Sequence, residues 1–328
     1  MVNSRDLDED DIRSRPPRSS RPRTKDRPDY SKATEAMVVA VDRGRATCVV
    51  GEVIVTAMKA RELGKKSVVV GDQVRIVGDL TGSDGSLARI VTVLPRTNTL
   101  TRTVDNNPSE ERMIVANVDQ IAIVIAAANP EPRHGFVDRA LVVAFDQGIK
   151  PLIFLTKRDL ADPAEFLVMY QDLDIPVFEI QRGGNLEQVR RVLQGKRTVL
   201  LGHSGVGKST LVNALVESAE RLTGSVNDVT GRGRHTSSSA IALKLESIPE
   251  DGINPTGWVI DTPGVRSFGL GHIDIQRVIG AFPEFAQALE HCPRNCSHDE
   301  ETCALNNWEG FDTSAQSRLE SLRRLLKS

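Results

Sequence analysis

The spacing of hydrophobic positions changes twice along this chain. Between about 35 and 95, apolar residues fall in short, often alternating runs: AMVVAV, ATCVV, EVIVTAM, DQVRIV and SLARIVTVL. Gly44, Gly51, Gly64, Gly71, Gly78 and the Gly82–Gly85 turn punctuate them. Such runs bounded by glycine turns predict five short strands. Five strands in so short a segment suggest a small closed barrel, with an oligonucleotide-binding (OB) barrel fitting best and an SH3-like barrel as the alternative. From about 112 to 270 the pattern changes. Ile121–Ala127 reads as a buried strand, Val137–Phe145 as a helix, and Pro151–Leu155, Ile175–Ile180, Thr198–Leu201 and Trp258–Ile260 as further short strands. Strands alternating with helices predict a mostly parallel sheet covered on both faces. Ala240–Ser247 and Trp258–Ile260, split by a Pro/Gly loop, form a candidate antiparallel edge pair. After about 272 the pattern is helical and ends in the amphipathic SRLESLRRLLKS.

Residues 1–34 lack this patterning. They are rich in Arg, Pro, Ser and Asp, mixed in charge and nearly free of apolar residues, so a disordered tail is expected. The arginines between Arg13 and Arg27 make an RNA-touching arm the sharper alternative. The whole chain has 328 residues and a formal net charge of −2, so it is not polybasic overall, although a local basic face remains open. Aromatic residues are 4% of the total, which argues against a base-stacking surface. No apolar run approaches the ~20 residues of a membrane span, and the first residues carry no apolar signal core, so a cytoplasmic protein without a membrane partner is expected.

The chemistry lies in three loops. Gly202, His203, Ser204, Gly205, Val206, Gly207, Lys208 and Ser209 spell the phosphate-loop pattern G-x-x-x-x-G-K-S, between the strand RTVLL and the helix-like TLVNALVESA that begins at Thr210. Glycines let backbone N–H groups curl around phosphate oxygens, Lys208 supplies charge, and the Ser209 hydroxyl is a Mg²⁺ ligand. Asp261-Thr-Pro-Gly264 follows the strand GWVI. An acid there can hold Mg²⁺ through water, and the Gly264 N–H can sense a γ-phosphate. Thr156-Lys157-Arg158-Asp159 follows the strand PLIFL. A carboxylate at Asp159 can accept hydrogen bonds from N1–H and the 2-amino group of guanine, a donor pair that adenine lacks. The stem of Lys157 can pack over the base. The usual pattern is N-K-x-D, and Thr156 stands in for the asparagine.

The order of these loops is informative. In ordinary small GTPases the guanine loop follows the phosphate loop and D-x-x-G; here it precedes both. The chain therefore reads as a circularly permuted GTPase domain. Between the phosphate loop and D-x-x-G lies Gly231-Arg232-Gly-Arg234-His235-Thr236, where Thr236 is the candidate switch threonine that completes the Mg²⁺ shell. Val265 occupies the position after D-T-P-G and cannot orient water, so His235 is the candidate for that role. This predicts weak intrinsic hydrolysis that a partner stimulates. An RNA-binding assembly module with vestigial hydrolysis is one alternative. A P-loop ATPase or nucleotide kinase is another, and Asp159 argues against it.

Cys292-x₃-Cys296-x-His298-x₄-Cys303 offers three thiolates and an imidazole, a standard tetrahedral zinc set with no open position, hence one structural Zn²⁺. Cys48 stands apart and reads as a core thiol.

Barrel, permuted GTPase and Cys₃His segment, in that order, resemble the ribosome small-subunit-dependent GTPase A family. The resemblance covers about residues 36–328. It is carried by TKRD at 156–159, GHSGVGKS at 202–209, GRGRHT at 231–236, DTPGVRSFG at 261–269, the cysteine pattern and LPRTNTLTR at 94–102, which looks like the family's barrel-to-GTPase link. It implies an OB-fold barrel over 35–96, a circularly permuted α/β P-loop GTPase domain over 97–271 and a helical zinc-binding domain over 272–328, after the tail. It further implies GTP/GDP and Mg²⁺ as ligands and a monomer that docks on the small ribosomal subunit and its rRNA late in maturation, hydrolyses GTP there and leaves. The family's second base-contact loop carries a Ser-Ala pair; here the matching stretch is Phe178-Glu-Ile180-Gln181-Arg-Gly-Gly, which leaves Ile180 and Gln181 only backbone to offer the base.

Overall fold

The computed structural model describes residues 30–64, 67–104, 107–216, 240–245, 256–262, 273–306 and 313–327. The expected tail lies outside the described residues up to residue 29. Ala33–Ser328 form one compact unit.

The five predicted strands are present as β1 (Thr34–Asp42), β2 (Arg45–Val50), β3 (Val53–Lys59), β4 (Gln73–Gly78) and β5 (Ala88–Val93). Each gives two residues, two positions apart, to one buried cluster: Ala36 and Val38, Ala46 and Cys48, Val55 and Ala57, Val74 and Ile76, Ala88 and Ile90. Side chains alternate across a strand, so period two points one face of every strand inward. The β1–β2 hairpin turns through Arg43 and Gly44, both at positive φ, the backbone of a tight two-residue turn. β4 returns beside β1, and β5 closes the barrel by pairing parallel to β3 and antiparallel to β4. Spatial order 4-1-2-3 is a Greek key, and its closed five-strand form is the OB arrangement rather than the SH3-like one. Burial pushes the Cys48 thiol up to about 12, as expected of a core thiol.

The link at 94–102 is a clamp. Arg96 grips the fully buried Asp72 with two nitrogens (2.6 and 2.8 Å). Asn98 exchanges two hydrogen bonds with the backbone of Val118. Asn117 accepts from the Thr97 N–H and donates to the Gly71 carbonyl. Gly71 has φ +86°, and a Cβ there would stand 2.0 Å from the Ala116 carbonyl oxygen, so only glycine fits. The link then continues into a separate hairpin, β6 (Thr99–Val104) and β7 (Asn107–Ala116), which the sequence pattern does not announce.

The next elements are β8 (Gln120–Ala126), α1 (His134–Asp146), β9 (Lys150–Thr156), α2 (Ala164–Val168), β10 (Val177–Ile180), α3 (Glu187–Leu193), β11 (Arg197–Leu201), α4 (Lys208–Leu215), β12 (Ile241–Lys244) and β13 (Trp258–Asp261). Their sheet order is β10-β9-β8-β11-β13-β12, parallel except for β12. β8 is buried throughout and feeds two cores. Ile121, Ile123 and Ile125 join α1 on one face; Ala122, Val124 and Ala126 join α3 and α4 on the other. The chain winds outward from β8 to β10, then restarts at β11 on the other flank of β8. That reversal is a topological switch point, where open α/β sheets bind ligands. On its far side β12 meets the barrel: Ala40 of β1 pairs with Ile241.

After β13 come α5 (Ile275–Gly280), α6 (Ala286–Leu289) and α7 (Thr313–Leu326). Leu319, Leu322 and Leu325 repeat at helical spacing and enter the same core as α1. Arg324 of α7 pairs with the buried Asp138 of α1 at 3.3 Å and lies over the Tyr170 ring at 5.1 Å. The helical end therefore shares its core with one face of the GTPase sheet. Among the described residues no helix is long and apolar enough to cross a membrane.

Candidate functional site

The phosphate loop leaves β11 at the switch point and enters α4. Its backbone is fixed from beneath. A Cβ at Gly202 would stand 2.5 Å from the Val124 carbonyl oxygen, so the loop can lie this close to β8 only with glycine there. Gly205 and Gly207 have φ of +85° and +97°, a left-handed backbone that glycine adopts readily. Val206 is buried, whereas Ser204, Ser209 and Thr210 are exposed.

Lys208 opens α4 and donates to the carbonyl oxygens of Gly202 and His203, the latter at 3.0 Å. Burial pushes its amine below the ordinary lysine value, and the Asp261 carboxylate at the end of β13 pulls it back up. Burial likewise holds the Asp261 carboxyl above the usual range, opposed by Lys208 and by the Thr262 N–H. The Thr262 hydroxyl donates to the Leu200 carbonyl at 3.1 Å, tying the end of β13 to β11. The phosphate loop and the end of β13 thus bring a half-buried lysine and a half-buried carboxylate within each other's electrostatic influence, an arrangement suited to phosphate and a divalent cation.

The second motif reaches the same loop from β9. The buried Thr156 hydroxyl lies 2.6 Å from the Val206 carbonyl oxygen and 3.2 Å from that of Ile125. It has one proton, and the shorter contact favours the phosphate loop. Threonine in place of asparagine thus ties the base loop to the phosphate loop. Lys157 has φ +55° and reaches the Asn129 carbonyl. Arg158 pairs with Glu179 of β10, and the Leu160 N–H closes a turn on the Lys157 carbonyl at 3.0 Å, leaving Asp159 exposed beyond the C-terminal end of β9. After the buried Ile180, Gln181–Gly184 forms a turn closed by the Gly184 N–H on the Gln181 carbonyl at 3.0 Å.

Arg232, Arg234, His235 and Thr236 lie outside the described residues, as do Gly264 and Val265. The sequence pattern also missed a ring contact: His203, inside the phosphate loop, packs on Phe136 of α1 with centroids 4.5 Å apart. Phe136 belongs to no motif, and its place in an apolar helical run reads only as core.

The four cluster residues converge. Their ligand atoms lie within 4.8 Å of one another. Cys292 Sγ is 3.8 Å from Cys303 Sγ and 3.7 Å from His298 Nδ1. Tetrahedral ligands about 2.3 Å from zinc stand about 3.8 Å apart, so the donor set and spacing fit that ion, and the sulfurs are too far apart for a disulfide. His298 has φ +66°, and its N–H faces Cys296 Sγ at 3.4 Å. Arg323 of α7 holds the loop from outside through the His298 carbonyl and the Asn306 side chain.

Comparison with known proteins agrees with this architecture. Residues 93–271 match the family described as RsgA GTPase. A Pseudomonas fluorescens (strain Pf0-1) protein, "Small ribosomal subunit biogenesis GTPase RsgA", is 38% identical over 272 residues, covering 80% of this chain and 75% of its own. A Shewanella oneidensis protein of the same name is 36% identical over 274 residues, covering 80% and 74%. Among solved structures, YjeQ from Thermotoga maritima superposes with a TM-score of 0.60 at 25% identity over 90% of this chain and 99% of its own. YloQ, described as a circularly permuted GTPase, superposes with a TM-score of 0.59 at 21% identity, covering 92% and 98%. The motif loops meeting at one switch point, the OB barrel before them and these matches place the chain in the RsgA GTPase family.

Proposed function

We propose that this protein is a GTPase of small ribosomal subunit biogenesis that docks on the subunit and its rRNA, hydrolyses GTP there and then dissociates. The observation that carries the reading is that the other two motifs act on the phosphate loop in permuted order, Thr156 through its hydroxyl on the Val206 carbonyl and Asp261 through its charge on Lys208. The names of the relatives supply the small subunit as partner.

Within this reading the N–H groups of Gly202–Thr210 cradle the phosphates, and Lys208 exchanges its two carbonyl contacts for phosphate oxygens. Asp159 selects guanine, with Lys157 packed along the base and Thr156 holding the loop. Ser209 and Thr236 would ligate Mg²⁺ and Asp261 would reach it through water; that ion supplies charge neutralisation at the phosphates. His235 orients the attacking water. The water oxygen bonds to the γ-phosphorus as the bond from that phosphorus to the β–γ bridging oxygen breaks, and one of the water's protons passes to the departing phosphate, releasing GDP and inorganic phosphate. Cys292, Cys296, His298 and Cys303 hold one structural Zn²⁺ that clips the helical end. The chain acts as a cytoplasmic monomer of four parts: the tail (1–34), the barrel (35–96), the GTPase domain (97–271) and the zinc-binding end (272–328).

GTP turnover titrated with purified small subunits tests this. The expected result is slow turnover alone and at least a ten-fold rise that saturates with subunit. Turnover unchanged by subunits overturns the docked-GTPase reading.

A further inference from the structure

A phosphate loop works only if its N–H groups hold one curvature before the ligand arrives. Three glycines, two of them left-handed, give this loop little stiffness of its own. Stiffness has to come from what the loop leans on. Val206 leans on Thr156, Gly202 on Val124, and Gly205 faces Pro130, whose Cδ would be 3.7 Å from a Cβ there. The first half of the loop has one further support. The His203 ring lies on the Phe136 ring at 4.5 Å, tilted by 46°. Phe136 is 2% exposed, in the first turn of α1, and its N–H bonds to the Arg133 carbonyl at 3.1 Å. It is a fixed part of the main core. The same His203 presents its carbonyl to Lys208. One residue therefore joins a rigid helix to the resting place of the lysine.

We infer that Phe136 and His203 form a ring-on-ring strut that sets the curvature of the phosphate loop, making Phe136 a positioning residue for nucleotide binding that lies outside every motif. The inference rests on the nucleotide-binding reading of that loop. The imidazole acts as a packing face, and its backbone is what is presented to the nucleotide side. Aromatic pairs of this geometry contribute enough that losing one weakens the loop about two- to ten-fold.

The test is a double-mutant cycle on full-length protein, read as the Kd for fluorescent GDP and as KM and kcat for GTP, with the nucleotide-free thermal midpoint measured for each variant. His203→Ala and Phe136→Leu should each raise Kd and KM about two- to ten-fold, more than either lowers kcat. Their combination should be no worse than the weaker single variant, because the same contact is removed once. His203→Phe, which keeps a ring, should return Kd to within about two-fold of the unmodified protein. An additive double variant, or His203→Phe as weak as His203→Ala, overturns the strut. Should Phe136→Leu fail to fold, the two His203 variants decide alone. Failure of the unmodified protein to bind GDP refutes the nucleotide site itself, whereas GDP binding with an additive cycle refutes only the strut.

Discussion

The phosphate loop and the cysteine cluster are both short motifs that organise a loop, but their support comes from opposite directions. The phosphate loop is built from the inside. Thr156, Val124 and Phe136 come from buried positions on two strands and a helix packed on the two faces of the sheet and hold it in place. The cluster is built mostly from the outside. Of its four ligands only Cys303 and His298 are buried; Cys303 and Leu305 enter the main core and Cys292 and Cys296 lie half-buried against it, while the rest of Cys292–Asn306 is held by turns, by Asn306 donating to the carbonyls of Glu300 and Glu301, and by Arg323. A loop resting on a core along its length is ready for its ligand, whereas four converging ligands in a mostly exposed segment, anchored to the core chiefly at Cys303 and Leu305, depend on an ion for their geometry.

Removing the proposed zinc from the cluster should give the largest effect. Chelation, or Cys303→Ser, is expected to raise backbone hydrogen exchange across Cys292–Asn306 by at least a hundred-fold, since structural zinc contributes on the order of 10 kcal/mol to such sites. GDP affinity should change by less than two-fold, because α7 remains anchored to α1 through Arg324, Asp138 and the leucine stripe. A ten-fold loss of GDP affinity on chelation would break the contrast. Thr156→Val sharpens it from the other side. This nearly isosteric change leaves the buried Val206 carbonyl without its donor, at a cost of about 1–3 kcal/mol. The expected outcome is a roughly ten-fold weaker Kd for GDP by fluorescence titration, with Thr156→Ser close to the unmodified protein. Equal affinity for Thr156→Val would mean that the core does not support the loop through this residue.

Most of this architecture is legible in the sequence where one local rule suffices. Alternation at Ala36 and Val38 or Val55 and Ala57 marks barrel strands, and an unbroken apolar run marks β8 as buried on both faces. Spacing alone reveals the phosphate loop and the cysteine set. What stays hidden depends on distant partners. OB closure requires β5 to pair with β3 and β4, which no strand pattern encodes. The clamp through Arg96 and Asp72 joins residues that look like ordinary surface charges. Thr156 reads as a departure from the guanine pattern until its hydroxyl is seen facing Val206. Phe136 and the leucines of α7 read as core, but nothing local says that one supports a phosphate loop or that the others share a core with α1.

In the proposed function the permuted loops assemble one guanine-nucleotide site at the junction of β8 and β11, with Asp159 reading the base. Competition binding of GDP and xanthosine diphosphate to the unmodified protein and to Asp159→Asn tests it most directly. Asparagine reverses the hydrogen-bonding character that guanine requires and suits the xanthine carbonyl. The expected result is a GDP preference of at least about a hundred-fold in the unmodified protein and its inversion in the variant. An unchanged preference for GDP in Asp159→Asn would contradict it.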